Sequence, residues 1–124
     1  MIDIGGGSTE FIWMRGRQLN LASVNAGAVR FTAANAGAAT MYKVLDPVLV
    51  RLKQQVLPRS LVGVGGTITT LAAVDQQLSP YDPERVHGYR LTRSSVLRIL
   101  GMLSSMGIEE RKKGKGISHP HGQI

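Results

Sequence analysis

The chain has 124 residues, 43% of them hydrophobic, enough to bury a core in a domain of ordinary size. It contains no apolar run of about 18 residues, no cysteine and no basic-then-apolar leader, so an ordinary transmembrane helix, disulfides and thiolate metal sites are excluded and a cytoplasmic setting with no membrane partner is expected. Fifteen Lys and Arg against eight Asp and Glu give a net charge of +7, a field that attracts polyanions without choosing among them, while aromatic content of 5% gives no base-stacking surface and hence no specific nucleic-acid partner.

In chain order, Ile2 and Ile4 open a strand that breaks at Gly5, Gly6 and Gly7, and the β-formers Thr9, Phe11, Ile12, Trp13 and Met14 resume it. Arg15, Gly16 and Arg17 read as a turn. Leu19, Leu21, Ser23 and Val24 then form a second partner strand, which makes the segment an antiparallel meander with the glycine loop at its first bend. A short extended piece includes Val29, and the alanine-rich stretch from Thr32 to Thr40 reads as a weak helix or a loop. Asp46 and Pro47 are placed as an N-cap and first-turn proline, which predicts an amphipathic helix from there to near Pro58.

SLVGVGGTITT, residues 60 to 70, predicts a short buried strand, two glycines and a helix that continues through Val74. Leu78 to Arg85 reads as a loop and Val86 to Leu91 as a short strand. Thr92 is an expected N-cap for a helix that aligns Val96, Leu97, Leu100 and Leu103 on one face and stops at Gly107. Beyond it lie one helical turn at most and a basic cluster, Arg111, Lys112, Lys113 and Lys115, either a solvated tail or a phosphate-chain contact.

Chemistry concentrates in IDIGGGSTE, residues 2 to 10. Three adjacent glycines remove every Cβ from a tight turn, so backbone N–H groups can converge on an oxyanion. Asp3 and Glu10 would repel such a ligand unless a divalent cation lay between, and hard carboxylate oxygens suit magnesium, manganese or calcium. The plainer reading is a glycine-rich hairpin whose polar residues face water. For residues 61 to 73, a strand, glycine turn and helix start can hold an anion, or the glycines can serve close packing of helix on strand.

Four ordered motifs carry a resemblance: IDIGGGSTEF at residues 2 to 11, NAGAVRFT at 25 to 32, LVGVGGTITTLAA at 61 to 73 and YDPERVHGYRLT at 81 to 92. Together they resemble the exopolyphosphatase and guanosine pentaphosphate phosphohydrolase family, within the actin, sugar kinase and Hsp70-like ATPase superfamily. The resemblance implies an α/β fold of the ribonuclease H-like, actin type, with a mixed sheet, an antiparallel N-terminal meander and flanking helices. It implies that Gly5, Gly6, Gly7 and Ser8 bind phosphate, and that Asp3 and Glu10 hold or orient Mg2+ or Mn2+. Gly65, Gly66 and Thr67 become the contacts for a nucleotide or a distal part of a phosphate chain. Arg30, His87 and Arg90 lie in family-like segments, with structural roles equally open.

The implied reaction is hydrolysis of a terminal phosphoanhydride of polyphosphate or guanosine pentaphosphate. No residue is assignable as the base, since the family's glutamate belongs to a preceding domain. Residues 1–107 are read as most of the second actin-like domain, incomplete at its C-terminal end, and 108–124 as a basic tail. The expected consequences are an inactive fragment and a sheet edge open to homodimerisation or aggregation. His119 and His121 read as an incidental tail pair. The alternatives are a noncatalytic polyanion-binding module and a domain of another actin-like ATPase or kinase.

Overall fold

A computed structural model describes residues 1–55 and 60–113 as two compact units, Met1–Gly65 and one that begins at Gly66. The expected helix end near Pro58, Lys115 of the basic cluster and the His119/His121 pair lie outside the described residues. Among those residues, no helix is long and apolar enough to cross a membrane.

The first unit is built on a four-stranded mixed sheet of order β3-β2-β1-β4. Strand β1 (Ile2–Ile4) pairs antiparallel with β2 (Thr9–Arg15), which pairs antiparallel with β3 (Gln18–Val24), and β4 (Gly63–Val64) lies parallel to β1. This is the expected meander, with Gly16 at φ +60 in its second turn. Alternation of side chains sorts the sheet faces. Thr9 and Phe11 are buried, and their cross-strand partners Ile4, Ile2, Val24 and Ala22 share their face. The opposite face carries a polar row across three strands: Asp3 faces Glu10, and Glu10 faces Ser23. The strand expected to be buried at residues 60 to 64 is only half-buried, because β4 is a sheet edge and Leu61 and Val62 before it are exposed.

Two helices depart from expectation. Val29 belongs to α1 (Ala28–Ala33) and not to an extended piece, since the N–H groups of Phe31 and Ala34 find helical carbonyls at Gly27 and Arg30. Helix α2 (Ala38–Lys53) starts eight residues before Asp46, with extended Gly37 as its N-cap, so Pro47 sits inside the helix and Asp46 caps nothing. Strong helix formers on both sides of Pro47 carry the helix across it, even though its ring removes one N–H and costs about 3 kcal/mol in a helix interior. α2 buries Val48, and its C-terminal end meets the sheet where Arg51 stacks over Trp13 and Gln55 accepts from the Trp13 indole N–H at 2.6 Å.

In the second unit, α3 (Gly66–Asp75) is apolar on most sides and packs against two elements. Ala72 and Ala73 cluster with Leu78 and Val86, and Val74 with Ile99. The expected loop contains a one-turn helix, α4 (Pro83–Val86), because Asp82 accepts hydrogen bonds from the N–H groups of Glu84 and Arg85 and Pro83 is preset for a first turn. Val86 to Leu91 is not a strand. Val86 closes α4 into the core, and Gly88 turns the chain at φ +69. Thr92 caps α5 (Arg93–Ser105) as expected, accepting from the Ser95 N–H at 3.0 Å. The buried face of α5 is different, with Ile99 at its centre and Met102 and Leu103 beside it, while Leu97 and Leu100 are exposed. A turn then leads to α6 (Ile108–Lys113).

One polar cluster ties this unit together. Asp75 accepts from the Tyr89 hydroxyl at 2.8 Å and forms a close ion pair with Arg98. The Tyr89 hydroxyl, with help from Ser95 and Arg98, holds the Asp75 carboxyl below its ordinary 3.8. A depressed carboxylate stabilises the fold above its unfolded value and loses that contribution as pH falls through the folded one. Asp75→Asn should therefore cost about 1–2 kcal/mol at pH 7, Arg98 being half exposed and screened. Urea unfolding followed by circular dichroism should show the difference from wild type shrinking below pH 3.8.

Candidate functional site

Residues 5–8 form a tight loop between β1 and β2, closed by a hydrogen bond from the Gly5 N–H to the Ser8 carbonyl at 3.0 Å. The rest of the loop is held from one side. The Gly5 carbonyl accepts from the Ala28 N–H at 3.1 Å, the Gly6 carbonyl from the Arg30 N–H at 2.9 Å, and the Gly7 carbonyl from Arg30 Nε at 2.7 Å. A trans peptide is planar, with its C=O and N–H pointing in opposite directions. Fixing three consecutive carbonyls toward residues 28–30 therefore turns three consecutive N–H groups, of Gly6, Gly7 and Ser8, to the other side. None of these three donates a backbone hydrogen bond to a described residue. Gly5 differs from its neighbours: its N–H closes the loop.

Close packing explains Gly27 and Gly6 and does not explain Gly7. A Cβ on Gly27 would run into the Gly6 carbonyl and the Gly7 nitrogen, and one on Gly6 would press on Val29. A Cβ on Gly7 would meet nothing within 4 Å, and no left-handed φ demands glycine there. A shallow, open depression beside the loop is lined by Gly6, Gly7, Val29, Arg30, Ala33 and Ala34. Thr9, the first residue after the loop, is buried and donates its hydroxyl to the Ala26 carbonyl at 2.6 Å, which pins the segment leading into α1.

The carboxylates flank this loop as cross-strand partners in β1 and β2. Like charges directly opposite each other are destabilising unless something neutralises them. Glu10 accepts from the Ser23 hydroxyl at 2.9 Å, and hydrogen bonds from Ser8 and then Ser23 hold its carboxyl below the ordinary 4.5. Among the described residues no three His, Cys, Asp or Glu side chains gather as a closed metal cage. An open pair of carboxylates suits magnesium, which keeps several waters and is commonly shared between one or two carboxylates and substrate phosphates.

The second glycine motif divides by role. Gly65 lies at φ +89, and a Cβ there would strike the Asp3 carboxylate and approach the Ile4 carbonyl to 2.9 Å. Gly65 is thus a packing residue behind Asp3. Gly66 and Thr67 open α3 in the second unit, where the Gly66 carbonyl accepts the hydroxyls of Thr69 and Thr70 at 3.1 and 2.8 Å. His87 is the exposed C-cap of α4, and Arg90 is exposed. Sequence reasoning left the role of Arg30 open and passed over Gly27 and Thr9. The signal available for Gly27 was its place in the NAGAVRFT motif.

Residues 1–121 match the model of the Ppx/GppA phosphatase family. The chain belongs to this family. It is 30% identical over 123 residues to "Exopolyphosphatase 2" of Mycobacterium tuberculosis, an alignment covering 90% of this chain and 38% of that protein. It is 36% identical over 110 residues to a "Bifunctional 3-dehydroquinate synthase/phosphatase" of Fusobacterium nucleatum, covering 77% of this chain and 16% of that protein. A solved structure from a structural study of the Aquifex aeolicus PPX-GPPA enzyme superposes with a TM-score of 0.73 at 30% identity, over 94% of this chain and 42% of that one. The mixed sheet with flanking helices is accordingly the actin-like ATPase fold of a Ppx/GppA protein. The chain spans about two fifths of the length of the exopolyphosphatase and of the Aquifex chain.

Proposed function

We propose that residues 3–10, braced by residues 27–30, form the phosphate-holding wall of a hydrolase that releases terminal phosphate from polyphosphate or guanosine pentaphosphate. The observation that carries this reading is the row of three N–H groups, of Gly6, Gly7 and Ser8, left without backbone partners among the described residues beside a cross-strand carboxylate pair. Converging backbone donors are what a transferring phosphoryl group requires, because its transition state asks for alignment and charge stabilisation. Gly7 supports the reading too. The fold does not require a glycine there, so its missing side chain is left for close approach of a ligand.

Asp3 and Glu10 would hold a divalent cation, Mg2+ or Mn2+. When bound, it neutralises charge on the phosphate chain and polarises the phosphoanhydride bond. The Glu10 carboxyl, held below its ordinary value by hydrogen bonds from Ser8 and Ser23, is ionised at neutral pH, which suits a cation holder and makes it a weak proton acceptor. The base then lies in a part of the enzyme outside these residues, and this chain alone should release phosphate at a negligible rate. Gly66 and Thr67 are the remaining candidates for a nucleotide or distal phosphate, since packing on Asp3 already accounts for Gly65.

Calorimetric titration with tripolyphosphate in the presence and absence of Mg2+ tests the reading. Binding should require the cation and be lost with EDTA, and the part of it that depends on Glu10, measured against Glu10→Ala at each pH, should be lost only as pH falls below 4.5, since the Glu10 carboxyl is held below that value. Ser8→Ala and Glu10→Ala should each weaken it about tenfold, the equivalent of one charge-assisted hydrogen bond. The net charge of +7 supports a second reading, a noncatalytic polyanion module. That reading requires binding that is indifferent to both substitutions and to Mg2+ and falls steeply with salt.

A further inference from the structure

Arg30 contacts the loop twice, and neither contact uses the end of its guanidinium. Its backbone N–H fixes the Gly6 carbonyl, and Nε, the nitrogen nearest the aliphatic stem, fixes the Gly7 carbonyl at 2.7 Å. The second contact decides the orientation of the Gly7–Ser8 peptide. Without it, the peptide between Gly7, which has no side chain to hinder rotation, and Ser8 has no hydrogen-bond brace of its own and is held only through the following peptide, whose Ser8 carbonyl accepts from the Gly5 N–H. The Ser8 N–H would then be free to swing away from the direction shared by Gly6 and Gly7. The peptides on either side have backbone braces that no side-chain substitution removes.

We infer that Arg30 is the positioning residue of the phosphate loop: its Nε presets the Ser8 N–H toward the anion, acting through the Gly7 carbonyl and not as a charge on the phosphate. This rests on the proposed function of the loop. The chemistry supplies a direct discrimination, because the side-chain amide nitrogen of glutamine stands the same number of bonds from Cα as Nε of arginine, whereas lysine has a methylene there. Arg30→Gln keeps the donor and removes the charge. Arg30→Lys keeps the charge and removes the donor, and Arg30→Met removes both.

The experiment is titration of the whole chain and the three variants with Mg2+ and tripolyphosphate, with amide NMR of Gly6, Gly7 and Ser8 alongside. Arg30 is exposed, so all three variants should fold, as checked by the emission of the single Trp13. Arg30→Gln should bind within about threefold of wild type, while Arg30→Lys and Arg30→Met bind about tenfold or more weakly. The ligand-free Ser8 amide signal should shift or broaden in Arg30→Lys and Arg30→Met and keep its wild-type position in Arg30→Gln. Retained binding by Arg30→Lys with loss in Arg30→Gln would overturn the inference in favour of a direct charge. Equal binding by all three would overturn it by showing that the loop needs no brace. A wild-type chain that fails to bind tripolyphosphate would count against the phosphate-loop reading itself, and the ligand-free Ser8 signal would still report on the brace.

Discussion

Gly65→Ala should lower stability by about 3 kcal/mol and weaken Mg2+-dependent tripolyphosphate binding in the same protein, two effects from one methyl group. The backbone contribution arises because φ is +89, where an L-residue with a Cβ is strained by about 1–2 kcal/mol. The steric contribution arises because the methyl would overlap the Asp3 carboxylate and sit 2.9 Å from the Ile4 carbonyl. Ile4 is a ladder residue of an inner strand and cannot move alone, so the Asp3 side chain has to rotate away from its present place. Gly16→Ala separates the two contributions. Gly16 has φ +60, and a methyl added there would meet nothing within 4 Å, so that variant carries the backbone strain alone and should leave Asp3 and ligand binding untouched. Paired urea melts and titrations check both statements, and a Gly65→Ala protein with wild-type Mg2+ dependence would refute the placement of Asp3 against Gly65.

Local patterns were legible where they were self-contained. The β-formers from Thr9 to Met14, the turn around Gly16 and the partner strand gave the meander its correct strand order, and the two-residue turn of Gly16 and Arg17 in the structure then leaves one register available. Thr92 announced α5 for a similar reason, since a cap and its first turn are neighbours in sequence. Elements decided by distant contacts were misread. Periodicity put Leu97 and Leu100 on the buried side of α5, but the partner of that helix is α3, whose Val74 meets Ile99. Pro47 looked like a helix start, a local preference that packing of Val48 and the helix formers around it override.

The candidate site shows the same division. Glycines, serine and carboxylates could be read as types that suit phosphate and metal, and the register now sets Asp3 opposite Glu10 and Glu10 opposite Ser23. Which N–H groups face outward could not be read, because it depends on carbonyls captured by residues more than twenty positions away. Gly5 illustrates the point. As a residue type it is indistinguishable from Gly6 and Gly7, yet its N–H closes the loop internally. Sequence can supply the composition of an anion cradle, but its orientation belongs to the segment that buttresses it.

That buttress gives the second large expectation: Gly27→Ala should cost about 2–3 kcal/mol and abolish the preset loop, although Gly27 contributes no chemistry of its own. Its φ of −151 is open to any residue, so the effect is purely steric. The added methyl would overlap the Gly6 carbonyl and lie 2.6 Å from the Gly7 nitrogen, all of it backbone that no rotamer change can clear. Residues 26–30 cannot retreat, because Ala26 is buried with its carbonyl held by Thr9, and the N–H groups of Ala28 and Arg30 are bonded to the loop itself. The strain must therefore be released by breaking the Ala28–Gly5 and Arg30–Gly6 hydrogen bonds, and these are the bonds that turn the Gly6 and Gly7 N–H groups outward. Gly7→Ala is the informative companion, since its methyl meets nothing and should leave the melt unchanged while obstructing the ligand. If Gly27→Ala melts like wild type and its Gly6 and Gly7 amide signals stay in place, the loop is set by its own sequence and the buttress is dispensable.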